Sequence, residues 1–116
     1  MNAKDFIDTV RTVVVESSVK SMENNLETPP GRRPDKRLID MSKWFNGLND
    51  AEKKMVTGLI KESVEISVFG FLCLLDGVTA IEDTEAKGKL ELFYEKGVNR
   101  VLLNDPKQEY LHNLFK

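Results

Sequence analysis

Residues 49–77, NDAEKKMVTGLIKESVEISVFGFLCLLDG, constrain the fold more than any other stretch of the chain. They read as one long helix. Asn49 suits the N-cap, because its side-chain oxygen can accept from a free N–H of the first turn, and Glu52 can bond back to the N–H of Asn49. Asp50 and Glu52 put negative charge at the positive end of the helix dipole. Gly77 can take the left-handed conformation that closes a helix, which leaves Asp76 in or beside the last turn.

At ~100° per residue, Met55, Val56, Leu59, Ile60, Ser63, Ile66 and Ser67 fall on one side of this helix. Lys54, Lys61, Glu62 and Glu65 fall opposite. After Glu65 the wet face closes: Phe69 and Leu72 take it over, while Val64, Val68, Phe71, Leu74 and Leu75 fill the other sides. The second half is expected to be buried all round. A buried strand over residues 64–75 is the competing reading of so apolar a run. The uncharged run 66–75 is ten residues long, against the ~20 of a membrane-spanning helix, so no membrane span is expected. An apolar helix needs cover, from the other helices or from a second copy of the chain, and a homodimer is one expectation.

At 116 residues a single domain over 1–116 is expected, long enough for its own core. Hydrophobic and charged shares of 41% and 31% are those of a globular chain. A net charge of −2 gives no general pull toward nucleic acid or an anionic membrane. The single cysteine, Cys73, excludes an intrachain disulfide, and in its apolar setting it reads as a small buried hydrophobe. Residues 1–8 carry charge but no signal-like apolar run follows, so a cytoplasmic location is the default expectation.

Residues 3–26 read as the first helix. Phe6, Ile7, Val10, Val13 and Val14 share one face; Val15, Val19, Met22 and Leu26 share another. The crossover lies near residues 16–18, where the helix either bends or runs straight between two bodies. Residues 28–37, TPPGRRPDKR, break the helix through Pro29, Pro30, Gly31 and Pro34. A second helix over residues 35–46 places Leu38, Met41, Trp44, Phe45 and Leu48 on one face, with Trp44 as a core anchor. Asn46-Gly47 ends it.

Past Gly77 the periods shorten. Residues 78–82 read as extended and 83–88 as a polar turn. Residues 89–95 and 99–104 form a β-hairpin about Lys96-Gly97. Asp105-Pro106 opens a last helix, with Gln108 at the reciprocal capping position. The class expected is α-dominated α+β: N-terminal helices about a long buried central helix, a β-hairpin, then a short C-terminal helix.

Chemistry is sparse. His112 is the only histidine. It has no Cys or acid at ligand spacing, which argues against a metal site or Ser–His and Cys–His catalysis, and reads as an ordinary helix-end residue. Glu62, Glu65 and Asp76 project from one broad side of the central helix beside Phe69 and Leu72. Carboxylates beside an apolar stripe can act as acid and base or line a ligand pocket; the plainer reading is that Glu62 and Glu65 are solvated and Asp76 ends the helix. Arg32, Arg33, Lys36 and Arg37 form the one dense positive cluster. They can grip phosphates or an acidic protein surface, fold back onto Glu62 or Glu65, or simply be solvated. The acidic overall balance and the lack of interleaved aromatics argue against nucleic acid. No phosphate-cradling glycine motif is present, and no cofactor is expected.

The segments GRRPDKR, WFNGL, FGFLCLLDGV, LELFYEKG and LHNLF together resemble a small family of uncharacterised bacterial proteins of about this length, a domain of unknown function. The resemblance covers most of the chain and transfers no functional residue. By analogy of size and class, small bacterial α+β proteins include immunity proteins that neutralise a toxin. The expectation is a non-enzymatic protein-binding protein of immunity or antitoxin-like type, contacting an unidentified partner through Arg32, Arg33, Lys36 and Arg37. The alternative is a small-molecule binder or enzyme built on Glu62, Glu65, Phe69 and Asp76.

Overall fold

The computed structural model describes all residues, Met1–Lys116. The central stretch is a helix, α4, over Asp50–Leu75, and both of its ends form as the sequence dictates. Asn49 Oδ1 accepts from the Glu52 N–H at 2.8 Å, and the Asn49 N–H donates to Glu52 Oε1 at 3.0 Å. At the other end Gly77 has φ +76°. The Gly77 N–H reaches Leu74 O and the Val78 N–H reaches Cys73 O, at 3.2 and 3.1 Å, the paired closure of a Schellman motif.

Burial departs from expectation. Of α4, only Leu72 is buried, while Met55, Leu59, Ile66 and Phe71 are 68%, 61%, 67% and 59% exposed. The helix is not enclosed. The rest of the chain covers one side, where Val56, Ile60, Val64 and Val68 are half-buried. The apolar surface of α4 is wider than that cover.

The first helical stretch is continuous but not uniform. It consists of α1 (Ala3–Thr9), a π-helical segment (Val10–Glu16) and α2 (Ser17–Glu27). Asn2 and Asp5 form a capping box at its start. The change of apolar face read near residues 16–18 falls at the end of the π segment, where i→i+5 bonding alters the helical phase. Two local causes favour it. Thr9 and Thr12 hydroxyls bond back to the carbonyls of Asp5 and Asp8, and a β-branched run resists the α-helix. Val13 and Val14, expected on the face of Phe6, Ile7 and Val10, are 62% and 43% exposed. The wider turn carries them off that face.

The chain forms two compact units. One is Val13–Glu65. Here α2 packs on α3 (Lys36–Asn46), with Val15, Leu26 and Phe45 buried. Asp35 caps α3, accepting from the Arg37 N–H at 2.8 Å. Asn46 Nδ2 donates to Glu27 O and Ser42 Oγ, both at 3.2 Å, so it satisfies a carbonyl at the open end of α2. That bond turns Ser42 inward, and the buried face of α3 becomes Leu38, Ser42 and Phe45. Trp44 is therefore not a core anchor: it is 59% exposed, and Met41 is 41% exposed.

The other unit is Met1–Thr12 with Ile66–Lys116. Ile7, Leu72, Leu103, Leu111 and Phe115 are its buried apolar residues. Helix α1 packs on α5 (Leu111–Phe115), and the Arg11 guanidinium lies 4.4 Å over the Phe115 ring. Strands β1 (Phe93–Lys96) and β2 (Asn99–Leu102) pair antiparallel. Gly97 at φ +60° takes the first of the two turn positions. Glu95 pairs directly opposite Arg100 at 2.7 Å, and the guanidinium also lies 3.9 Å from the Phe93 ring.

The strands are shorter than the sequence suggests, and residues 78–82 join no sheet. The last helix also starts later than Asp105-Pro106. Asp105 Oδ1 accepts from the Lys107 N–H at 2.9 Å and Asp105 O from the Gln108 N–H at 3.0 Å. This local turn satisfies the groups that a helix would have used. The class is α-dominated α+β, as expected, and no helix is long and apolar enough to cross a membrane.

Candidate functional site

The most organised polar site lies where α4 ends. The Asp76 side chain is wholly buried and that of His112 is 13% exposed. Asp76 Oδ2 accepts from the His112 backbone N–H at 2.9 Å and lies 2.7 Å from His112 Nδ1. The ionised carboxylate is acceptor-only, so Nδ1 carries the proton and Nε2 is the free ring nitrogen. Phe69 meets the imidazole edge-on at 5.7 Å and Tyr110 stacks on it at 5.3 Å. Asp76 Oδ1 is buried without a hydrogen-bond partner. The arrangement fixes the orientation and tautomer of one imidazole, the base half of an acid–base pair. No hydroxyl or thiol bonds to that ring.

Asn104, 7% exposed, fastens the neighbouring backbone. Its Nδ2 donates to Leu75 O at 2.7 Å and Leu90 O at 2.8 Å; its Oδ1 accepts from the Leu92 N–H at 2.8 Å. All its strongest hydrogen-bonding directions are used, and the segment before β1 is tied to the end of α4. This explains the short β1: the Asn104 amide takes the place of a strand partner for residues 90–92. A depression of about 220 Å³ beside it is lined by Asp76, Lys89, Glu91, Asn104 and Pro106, among others.

Of the carboxylate group expected as a ligand pocket, the structure brings Phe69 and Asp76 together at His112. Glu62 and Glu65 stay apart from them, ~21 and ~16 Å before Asp76 along α4 at 1.5 Å per residue. Glu62 is exposed and Glu65 half-buried. No three His, Cys, Asp or Glu side chains converge on a point that would hold a metal ion.

Arg32, Arg33, Lys36 and Arg37 are all exposed. Arg37 Nε lies 3.4 Å from Asp35 Oδ1; the other three make no ion pair, and none folds back onto Glu62 or Glu65. The i, i+4, i+7 spacing places Arg37, Met41 and Trp44 on one exposed face of α3. Elsewhere, an exposed Lys4 has its pKa raised by a side-chain hydrogen bond to Asp8, 2.9 Å away, and by the charge of that carboxylate.

Sequence reasoning missed two things here. Asp76 and His112 are 36 positions apart, so no motif spacing could join them. The outward Trp44 had a usable signal: Ser42 and Asn46, at i and i+4, can bond each other and draw the helix inward on their own side. Comparison with protein-family models, curated proteins and solved structures found no match to this chain.

Proposed function

We propose that the protein acts by binding another protein, in the manner of small immunity or antitoxin-like proteins, and that α3 with its preceding basic loop makes the contact. The observation that carries this reading is the exposed Trp44, in line with Met41 and Arg37 and following Arg32, Arg33 and Lys36. Trp and Arg are enriched among residues that dominate interface energies, and Met among interface residues generally. An exposed indole flanked by four cations fits a partner surface that is acidic around an apolar pocket.

The test is capture of the tagged chain's partner from its native lysate, repeated with Trp44→Ala and with Arg32, Arg33, Lys36 and Arg37 all changed to Ser. Both variants should lose the stoichiometric partner that the parent retains. Equal recovery by all three at low salt would defeat the reading.

A second reading, a small-molecule binder or enzyme, draws on the oriented imidazole of His112 between Phe69, Tyr110 and Asp76. It requires a ligand that perturbs the His112 ring resonances in a titration followed by NMR.

A further inference from the structure

We infer that α4 carries a second interface, separate from the one proposed on α3, and that its occupant is a second copy of this chain lying antiparallel to it. The exposed stripe on α4 is Ala51, Met55, Leu59, Glu62, Ile66 and Gly70, all exposed. Its steps are four, four, three, four and four residues, symmetric about the point between Ile60 and Lys61. A helix laid antiparallel across this point meets its own pattern reversed. Met55 comes opposite Ile66 of the second copy, Leu59 opposite Glu62, and small Ala51 opposite Gly70. A two-fold interface needs this property, because the same patch must serve on both sides.

The charges select the same arrangement. One flank of the stripe has Lys54 and Lys61 toward the N-terminal end and Glu65 toward the C-terminal end, with Glu62 in the stripe itself. None of the four makes an ion pair within the chain. In the antiparallel register, Lys54 lies two residues, ~3 Å along the axis, from the position facing Glu65 of the second copy. Lys61 stands in the same relation to Glu62. Like flanks face each other in an antiparallel pair, so bases meet acids. A parallel pair would set this flank against the opposite one, where Ser63 and Ser67 offer no charge to Lys61 or Glu65. An unrelated partner would require no such internal symmetry.

The test is the mass in solution, by light scattering and sedimentation over a concentration series. The parent chain should reach twice its 13.2 kDa, and a monomer throughout would overturn the inference. Lys54→Glu with Lys61→Glu, and separately Glu62→Lys with Glu65→Lys, should each weaken self-association by ~10-fold or more. These changes are on the exposed side of a helix, and circular dichroism checks that both variants fold. An equimolar mixture of the two should restore a dimer, since one chain is then acidic at all four positions and the other basic. Dimers undisturbed in the single variants, or a mixture that stays monomeric, would equally overturn it. The α3 variants leave this stripe intact, so loss of partner capture in a chain that still dimerises is a separate result. Failure of self-association likewise leaves the α3 reading standing.

Discussion

Asp76 caps a helix to which it does not belong. Its Oδ2 receives the backbone N–H of His112, in the first turn of α5, at 2.9 Å, and the Nδ1 of the same residue lies 2.7 Å away. The residue at the N-cap position itself, Tyr110, provides no side-chain hydrogen bond. A carboxylate from the end of α4 thus does for α5 what an N-cap Asp would do, with the favourable sign for the helix dipole.

The two halves of this contact should fail differently. Asp76→Asn keeps an oxygen that can accept from the His112 N–H, and is expected to cost about 1 kcal/mol. Asp76→Ala strands both His112 donors and should cost about 2–3 kcal/mol. His112→Ala leaves a buried carboxylate with one backbone partner, and should cost about 3 kcal/mol or more. Urea denaturation midpoints with unchanged slopes would give the order. Equal losses for Asn and Ala at position 76 would mean that the oxygen does not cap α5.

Asn104 makes a sharper prediction, because both its donors and its acceptor are used. Asn104→Asp cannot donate, and it sets a carboxylate against the carbonyls of Leu75 and Leu90. It should therefore be worse than Asn104→Ala, by about 1 kcal/mol or more, although it is closer in shape. Hydrogen exchange at the Leu92 amide should accelerate in the Ala variant, since Asn104 Oδ1 is its acceptor. An Asp variant as stable as the Ala variant would contradict the bonding geometry.

These contacts mark where sequence reasoning stops. The local signals were legible because their partners lie within a few residues: the Asn49–Glu52 box, the Gly77 closure, the Asp35 cap and the Gly97 turn. The α-dominated α+β class followed from them. Asp76–His112 and the Asn104 clip join positions 36, 29 and 12–14 apart, and no periodicity reports on such pairings. Burial was misread for another reason. Hydrophobic period identifies which side of a helix is apolar, but not whether the rest of the chain has enough surface to cover it. Met55, Leu59 and Ile66 are apolar at helical spacing and exposed. At Asp105 two local signals competed, and the Asx turn prevailed over the N-cap.

The π segment predicts tolerance to shortening at one place only. Between Val10 and Glu16 each turn takes in one residue more than an α-turn. Deleting exposed Val13 lets that stretch relax to α-helical bonding, and is expected to change stability by ~1 kcal/mol or less, with the helical circular dichroism retained. Deleting Ser21 instead rotates Val15 and Val19 by ~100° away from the face shared with Met22 and Leu26. That should cost several-fold more or prevent folding. Similar losses for the two deletions would show that the π-helical bonding is not a spare residue absorbed by the helix.

The orientation of α3 is the simplest to check, because Trp44 is the only tryptophan. Its indole is 59% exposed while the adjacent Phe45 is 5% exposed. Trp44→Ala should shift stability by no more than about 0.5 kcal/mol, as for other surface positions. Phe45→Ala should cost about 3–5 kcal/mol, since it opens a cavity where α2 and α3 meet. Emission from the parent chain should lie close to that of free tryptophan and be quenched readily by iodide. A blue-shifted, protected indole in the isolated chain would put Trp44 inside, returning α3 to the face its apolar spacing suggests. The same protection appearing only when the acidic partner is added would place Trp44 in the contact. One residue thus reports on the packing of α3 and, through the change on binding, on what α3 is for.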